Sequence, residues 1–144
     1  MTASFVDTNI LVYAFDLDEP EKKLIAETLL RKTLEGYGPL HISNQIIAEF
    51  ARTLTQKIRT PYPTHQTKAF LQSFYTHRWI IHPYSLDTIN SALELLSKYN
   101  TPFWDALIAA TMMENHIYQI YTEDMAFNKI PGIKAVNPFK RKKS

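Results

Sequence analysis

The chain has 144 residues, 45% hydrophobic and 21% charged, with 16 basic and 14 acidic side chains and a formal net charge of only +2. That length is enough for one domain with a real core, and the weak positive surplus permits a polyanionic partner without announcing one. The absence of cysteine excludes disulfides, zinc–thiolate sites and thiol catalysis. It also fits a reducing cytosol.

Thr2–Val6 reads as a first strand; it runs into Asp7, and a second apolar run begins at once with Ile10-Leu11-Val12-Tyr13. Because the first charged residue is Asp7, no basic region heads a signal peptide. Pro20 suits the first turn of a helix running to about Leu34, with Gly36 at its exit. Leu40–Ile42 is a short strand, and Ser43 or Asn44 caps the helix after it. That helix carries Ile46, Ile47, Phe50, Leu54 and Ile58 at helical spacing, and Pro61 and Pro63 stop it. Another helix follows Thr64, with apolar residues around Phe70 and Phe74 offering an exposed interface for a homodimer.

Trp79–His82 is the third strand, ended by Pro83. Ser85 caps a helix through about Tyr99, and Thr101-Pro102 is a second cap-plus-proline start for a helix through about Asn115. Its apolar stretch Ala106–Met113 is far too short for a bilayer, which needs roughly 20 residues. Ile117–Tyr121 is the fourth strand and Ile133–Val136 a fifth, at an edge. The alternation predicts a three-layer α/β sandwich, with a central, mainly parallel sheet of about five short strands flanked by helices. One domain spans 1–139, followed by a basic tail at 140–144 that is either simply solvated or adds phosphate contacts. A cytoplasmic protein without membrane association is expected.

Most acidic residues have ordinary explanations: Glu19, Glu21, Glu27 and Glu35 lie on or beside an amphipathic helix, Asp16 and Asp18 in a turn, and Asp87 in a helix's first turn. Four stand out. Asp7 closes the first strand between apolar runs, where open α/β sheets place ligand sites. Glu49 interrupts the run Ile46-Ile47-Ala48-Glu49-Phe50. Asp105 opens the most hydrophobic helix, on the face of Ile108, Ala109 and Met112, and Asp124 follows the fourth strand. Each alone has a structural reading as helix-start, edge or turn residue. All four, however, map to the same end of one sheet. Converging carboxylates repel one another and raise each other's pKa, a conflict that a divalent cation relieves. Oxygen-only ligands select Mg²⁺ or Mn²⁺, and such an ion serves phosphoryl transfer or phosphodiester hydrolysis.

Val6-Asp7-Thr8-Asn9-Ile10-Leu11, Ile47-Ala48-Glu49-Phe50, Phe103-Trp104-Asp105-Ala106-Leu107-Ile108-Ala109 and Tyr121-Thr122-Glu123-Asp124 together resemble the PIN domain, and within it the VapC-type ribonuclease toxins of prokaryotic toxin–antitoxin pairs. The resemblance spans nearly the whole chain. It implies a metal-dependent endoribonuclease whose catalytic acids are Asp7, Glu49, Asp105 and Asp124, with Mg²⁺ or Mn²⁺ held by Asp7, Asp105 and Asp124 and with Asn9 and Thr122 as polar supports. It also implies an RNA substrate, a homodimer, and a small antitoxin whose tail enters the acidic groove. Glu123 competes with Asp124 as the fourth acid, since both lie past the strand end.

Arg52, one turn beyond Glu49, either contacts phosphate or pairs with Glu49. Trp104 and Tyr13 are candidates for stacking on bases, although a core role is the simpler reading of both. The five histidines show no paired spacing and read as surface or structural. Two alternatives are carried forward: a non-catalytic RNA- or protein-binding module on the same fold, and a phosphatase of the haloacid dehalogenase type. The second wants another Asp two residues after Asp7, where this chain has Asn9. A receiver domain is disfavoured by the proline that ends the third strand.

Overall fold

Five strands, β1 (Ser4–Val6), β2 (Leu40–Ser43), β3 (Trp79–His82), β4 (Gln119–Tyr121) and β5 (Lys134–Val136), form one sheet in the order β3-β2-β1-β4-β5. They come from a computed structural model that describes residues 2–35 and 38–140. Every pairing is parallel, with Val6 opposite Tyr121, Ser43 opposite His82 and Tyr121 opposite Val136. The chain leaves β1 for β2 and β3 on one side, then returns to β4 on the other. The reversal therefore falls at the carboxyl end of β1, the place where such sheets open a crevice.

The described residues form six α-helices, α1 (Thr8–Tyr13), α2 (Pro20–Leu34), α3 (Asn44–Gln56), α4 (Thr64–Thr76), α5 (Leu86–Tyr99) and α6 (Phe103–Glu114). In one layer α1 packs on α2 and α3, and α3 on α4; in the other, α5 packs on α6. Together with the sheet they make the expected three-layer α/β sandwich. Helix α6 is buried at every position from Ala106 to Met112. Ile108, Ala109 and Met112 join the core that contains Phe5, Phe50 and Ile120, while Ala106, Leu107 and Ala110 meet Ala92 of α5. A helix apolar on all sides is what a position between two neighbours requires.

Local signals explain most boundaries. The Ser43 hydroxyl accepts the Ile46 N–H and starts α3; Ser85 and Thr88 exchange bonds in a capping box at α5. Asn100 ends α5 in the left-handed region, at φ 51°. Strand β4 starts two residues later than the apolar run predicts, because the Ile117 N–H is taken by the Met112 carbonyl as the chain leaves α6. Likewise Ile133 bonds to Ile130 and stays outside β5.

Several expectations are corrected. Pro102 takes the cap position of α6, and the buried Thr101 hydroxyl has no hydrogen-bond partner among the described residues, so Thr101 is not the cap. Phe74 is buried and Phe70 packs against the Phe15 ring at 4.4 Å, so neither is an exposed interface residue. The predicted exit at Gly36 and tail residues 141–144 lie outside the described residues. Among the described residues, no helix is long and apolar enough to cross a membrane.

Candidate active site

Asp7 stands at the reversal point because it ends β1 and caps α1 at once. Its backbone N–H continues the ladder to the Tyr121 carbonyl, at 3.0 Å. Its Oδ1 accepts the Thr8 N–H at 2.7 Å and so starts a six-residue helix immediately after the strand. Oδ2 accepts the Thr122 hydroxyl, also at 2.7 Å. Only 6% of Asp7 is exposed. Burial pushes its carboxyl up to about 6; the bonds from Thr122 and Thr8 oppose the rise, and the charges of Glu49 and Asp124 add to it.

Thr122 organises the neighbouring loop. Fully buried, it gives its proton to Asp7 and accepts the Asp124 N–H at 2.8 Å, with the Asn9 amide at 3.5 Å. Asn9 also accepts the Glu123 N–H, so the ends of β1 and β4 are laced together. Asp124 then caps the 3₁₀ turn Met125–Lys129 by accepting the Ala126 N–H. Asp105, in the first turn of α6, approaches Asp124 from the opposite helical layer, and the nearness of the two carboxyl groups disfavours charge on both at once. Burial, that nearness and the charges of Asp7 and Glu49 hold the Asp105 carboxyl well above the usual range.

Glu49 comes from α3. One oxygen accepts the Thr8 hydroxyl at 2.7 Å and the other the Gln45 amide at 2.8 Å. Asp7, Glu49, Asp105 and Asp124 thus line a single cavity of about 390 Å³, with Asn9 and Tyr13 also on its wall. Asp16 lines it too, a fifth acid that sequence reasoning left in a turn. The neighbours Glu123 and Asp124 divide: Glu123 is ion-paired with Lys22 at 2.7 Å, while Asp124 lines the cavity.

Two residues that hold the site were missed. Gln45, 4% exposed, bonds both Glu49 and the Trp104 carbonyl (3.1 Å), bridging the helices that carry Glu49 and Asp105. Its own Oε1 is buried without a partner among the described residues. The available signal was a glutamine four residues before Glu49, on the same helix face. Thr8 left a weaker one, a hydroxyl beside Asp7. Trp104 is corrected in the other direction: at 58% exposed it is not a core residue. Tyr13 is half-buried, edge-on to Phe139. Arg52 does not pair with Glu49; among the described residues it makes no ion pair.

The histidines also differ from their linear reading. His41 and His82, on adjacent strands, stack with Nδ1 and Nε2 2.8 Å apart. Burial lowers the pKa of both, and His82 further stacks on Phe5. No histidine lines the acid cavity among the described residues.

The PIN domain family matches residues 4–133, nine-tenths of the chain. The chain belongs to the PIN domain family. Among solved structures, a PIN neighbour is a toxin–antitoxin complex from Klebsiella pneumoniae, at 23% identity and TM-score 0.70, covering 96% of this chain and 100% of that one. A second is the Mycobacterium tuberculosis toxin VapC20, described as cleaving the sarcin–ricin loop, at 20% identity and TM-score 0.65, with 88% and 93% covered. VapBC2 from Rickettsia felis, bound to a DNA fragment of its promoter, shares 20% identity at TM-score 0.70, with 94% and 98% covered. No curated protein matches in sequence.

The cavity's donor set fits a hard divalent cation: five carboxylates with hydroxyl and amide oxygens and, among the described residues, no sulfur or imidazole, two of the carboxyls holding protons more tightly than usual. Among the described residues, however, no three acidic or histidine side chains already converge as a ligand set. Asp7 and Glu49 spend their hydrogen-bonding on Thr8, Thr122 and Gln45, and each carboxylate keeps lone pairs beyond those bonds.

Proposed function

We propose that this PIN domain is a metal-dependent endoribonuclease and the toxin of a toxin–antitoxin pair. The observation that carries the reading is the gathering of Asp7, Glu49, Asp105 and Asp124 around one cavity at the sheet's reversal point, where Asp7 and Asp105 are both pushed up. Uncompensated carboxylates brought together from four elements are costly unless a cation answers them. The toxin–antitoxin neighbours support a small antitoxin as partner, and VapC20's description supports RNA as substrate.

In this reading Asp7, Asp105 and Asp124 hold Mg²⁺ or Mn²⁺. When bound, the ion polarises the phosphate and lowers the pKa of an attacking water. Glu49, fixed by Thr8 and Gln45, orients that water and takes its proton. Thr122 and Asn9 keep Asp7 and the 122–124 loop in register. Water as nucleophile leaves a 5′-phosphate and needs neither the ribose 2′-hydroxyl nor a histidine. The pairing of His41 with His82 away from the cavity agrees with this route. Homodimer formation is carried from the resemblance, and a cytoplasmic site of action from the absence of cysteine.

The test is incubation of the purified protein with mixed RNAs in Mn²⁺, in EDTA, and with Asp105→Asn. The expected outcome is cleavage in Mn²⁺ alone, with 5′-phosphate ends, abolished by the substitution. RNA that is bound but never cut would favour the binding module.

A further inference from the structure

A second groove, of about 520 Å³, adjoins the acid cavity and shares Thr8, Glu49 and Thr53 with it. Its outer wall carries Arg52 from α3, Lys57 from the cap just past that helix, Tyr84 from the β3–α5 turn and Trp104 from the start of α6. Three features of this wall are unusual. An indole left 58% exposed forgoes burial that large aromatics ordinarily gain. Its backbone is nevertheless held, because Gln45 ties its carbonyl to the helix of Glu49, and Phe103 packs edge-on to its ring at 5.1 Å. Lastly, Arg52 and Lys57 are exposed and, among the described residues, make no ion pair, although Glu49 lies one turn from Arg52. Glu49 is already satisfied by Thr8 and Gln45. Lys22, which bonds the cavity-lining Tyr13, is committed to Glu123.

A polyanion entering a cavity walled by carboxylates meets repulsion, so it needs unpaired cations beside the cavity, and among the described residues Arg52 and Lys57 line the groove that adjoins it. Two cations without ion pairs next to an uncovered aromatic suit an unpaired nucleotide, whose base is free to stack. Duplex bases are stacked on each other and offer no such face. Resting on the nuclease reading, we infer that this groove seats the nucleotide adjoining the scissile phosphate in a single-stranded segment, its base on the Trp104 ring with Tyr84 alongside and its flanking phosphates on Arg52 and Lys57. Trp104 is then a substrate-binding residue whose effect falls on KM, and Gln45 couples the platform to the catalytic glutamate.

The experiment measures binding of labelled single-stranded and duplex RNA in EDTA by fluorescence anisotropy, then cleavage in Mn²⁺. Trp104→Ala is expected to weaken single-strand binding about tenfold or more, as loss of one base–aromatic stack does. Trp104→Phe retains most of the affinity, and KM rises in Trp104→Ala while kcat stays within a few-fold. The Arg52→Gln/Lys57→Gln double variant should lower the slope of log affinity against log salt by about 1.4, at roughly 0.7 per phosphate. Unchanged affinity in Trp104→Ala, an unchanged salt slope in the double variant, or equal binding of duplex would overturn the inference. A wild-type protein that binds in this pattern but never cuts would sink the nuclease reading and leave the groove standing. Cleavage with a normal KM in Trp104→Ala would do the reverse.

Discussion

Glu123 and Asp124 are adjacent in the chain and live in opposite electrostatic worlds. Glu123 meets the Lys22 ammonium, which also reaches the Tyr13 hydroxyl at 3.2 Å and lies over the Tyr13 ring. That bond raises the Lys22 pKa, as expected for a cation that has found its partner. Asp124 meets Asp105, with Asp7 and Glu49 behind, and none of these four has a cationic partner among the described residues. The first region closes its charges internally. The second leaves them open, at a cost in stability that only something from outside can offset. Proximity of acids is thus not the signal of a site; failure to be neutralised is.

The largest effect should come from removing charge at the open region. Asp7→Asn is expected to lower RNA cleavage on the order of a hundredfold or more, while making the metal-free protein more stable at pH 8. The sign follows from the raised pKa. Between about pH 4 and 6 the folded state keeps the Asp7 proton and the unfolded chain has lost it, so raising pH favours unfolding. The shift from 3.8 to about 6 corresponds to about 3 kcal/mol lost by neutral pH. Asp105, also raised, extends the loss to higher pH. Thermal melts of both proteins in EDTA from pH 4 to 8 check this: the wild-type Tm falls across the range, and the variant's falls less. Parallel curves would mean that Asp7 carries no such penalty.

Next in size is the response to metal. At pH 8, Mn²⁺ at a hundred times its Kd should stabilise wild type by about 2.7 kcal/mol, a Tm rise of roughly 5–10 °C for a chain of this length. Asp105→Asn should show a smaller rise. Smaller again is Gln45→Ala, which frees one Glu49 oxygen and unties α3 from Trp104. We expect about a tenfold fall in kcat with a stability loss near 1 kcal/mol, because the variant also removes a buried, unpartnered carbonyl. The smallest belongs to the closed region. Glu123→Gln should cost about 0–1 kcal/mol, the usual worth of a partly exposed ion pair, and leave cleavage near wild type. A collapse of activity in Glu123→Gln would place the fourth acid at 123 and reverse the comparison.

What the sequence disclosed follows the same division. Strand β3 was legible to the residue because Trp-Ile-Ile-His is bounded by a proline, and Asp7 and Asp105 because a charge amid apolar residues breaks a pattern. Helix α1 was not, since Ile10-Leu11-Val12 reads equally well as strand and only the Asp7 cap decides. Gln45, Thr8 and the His41–His82 pair were hidden for another reason: their meaning is a bond to a distant residue, and hydropathy patterns carry no such information. Trp104 misled because its neighbours on α6, Ala106 to Met112, are buried, whereas its own side chain lines the groove.

The measurement that bears most directly on the account is calorimetric titration of Mn²⁺ into wild type and Asp7→Asn near pH 6, in two buffers of different ionisation enthalpy. The account predicts binding by wild type with proton release, since carboxyls still protonated near that pH must give up their protons to coordinate, and weakened binding with less release in the variant. No uptake by wild type, or identical heats from both proteins, would contradict it.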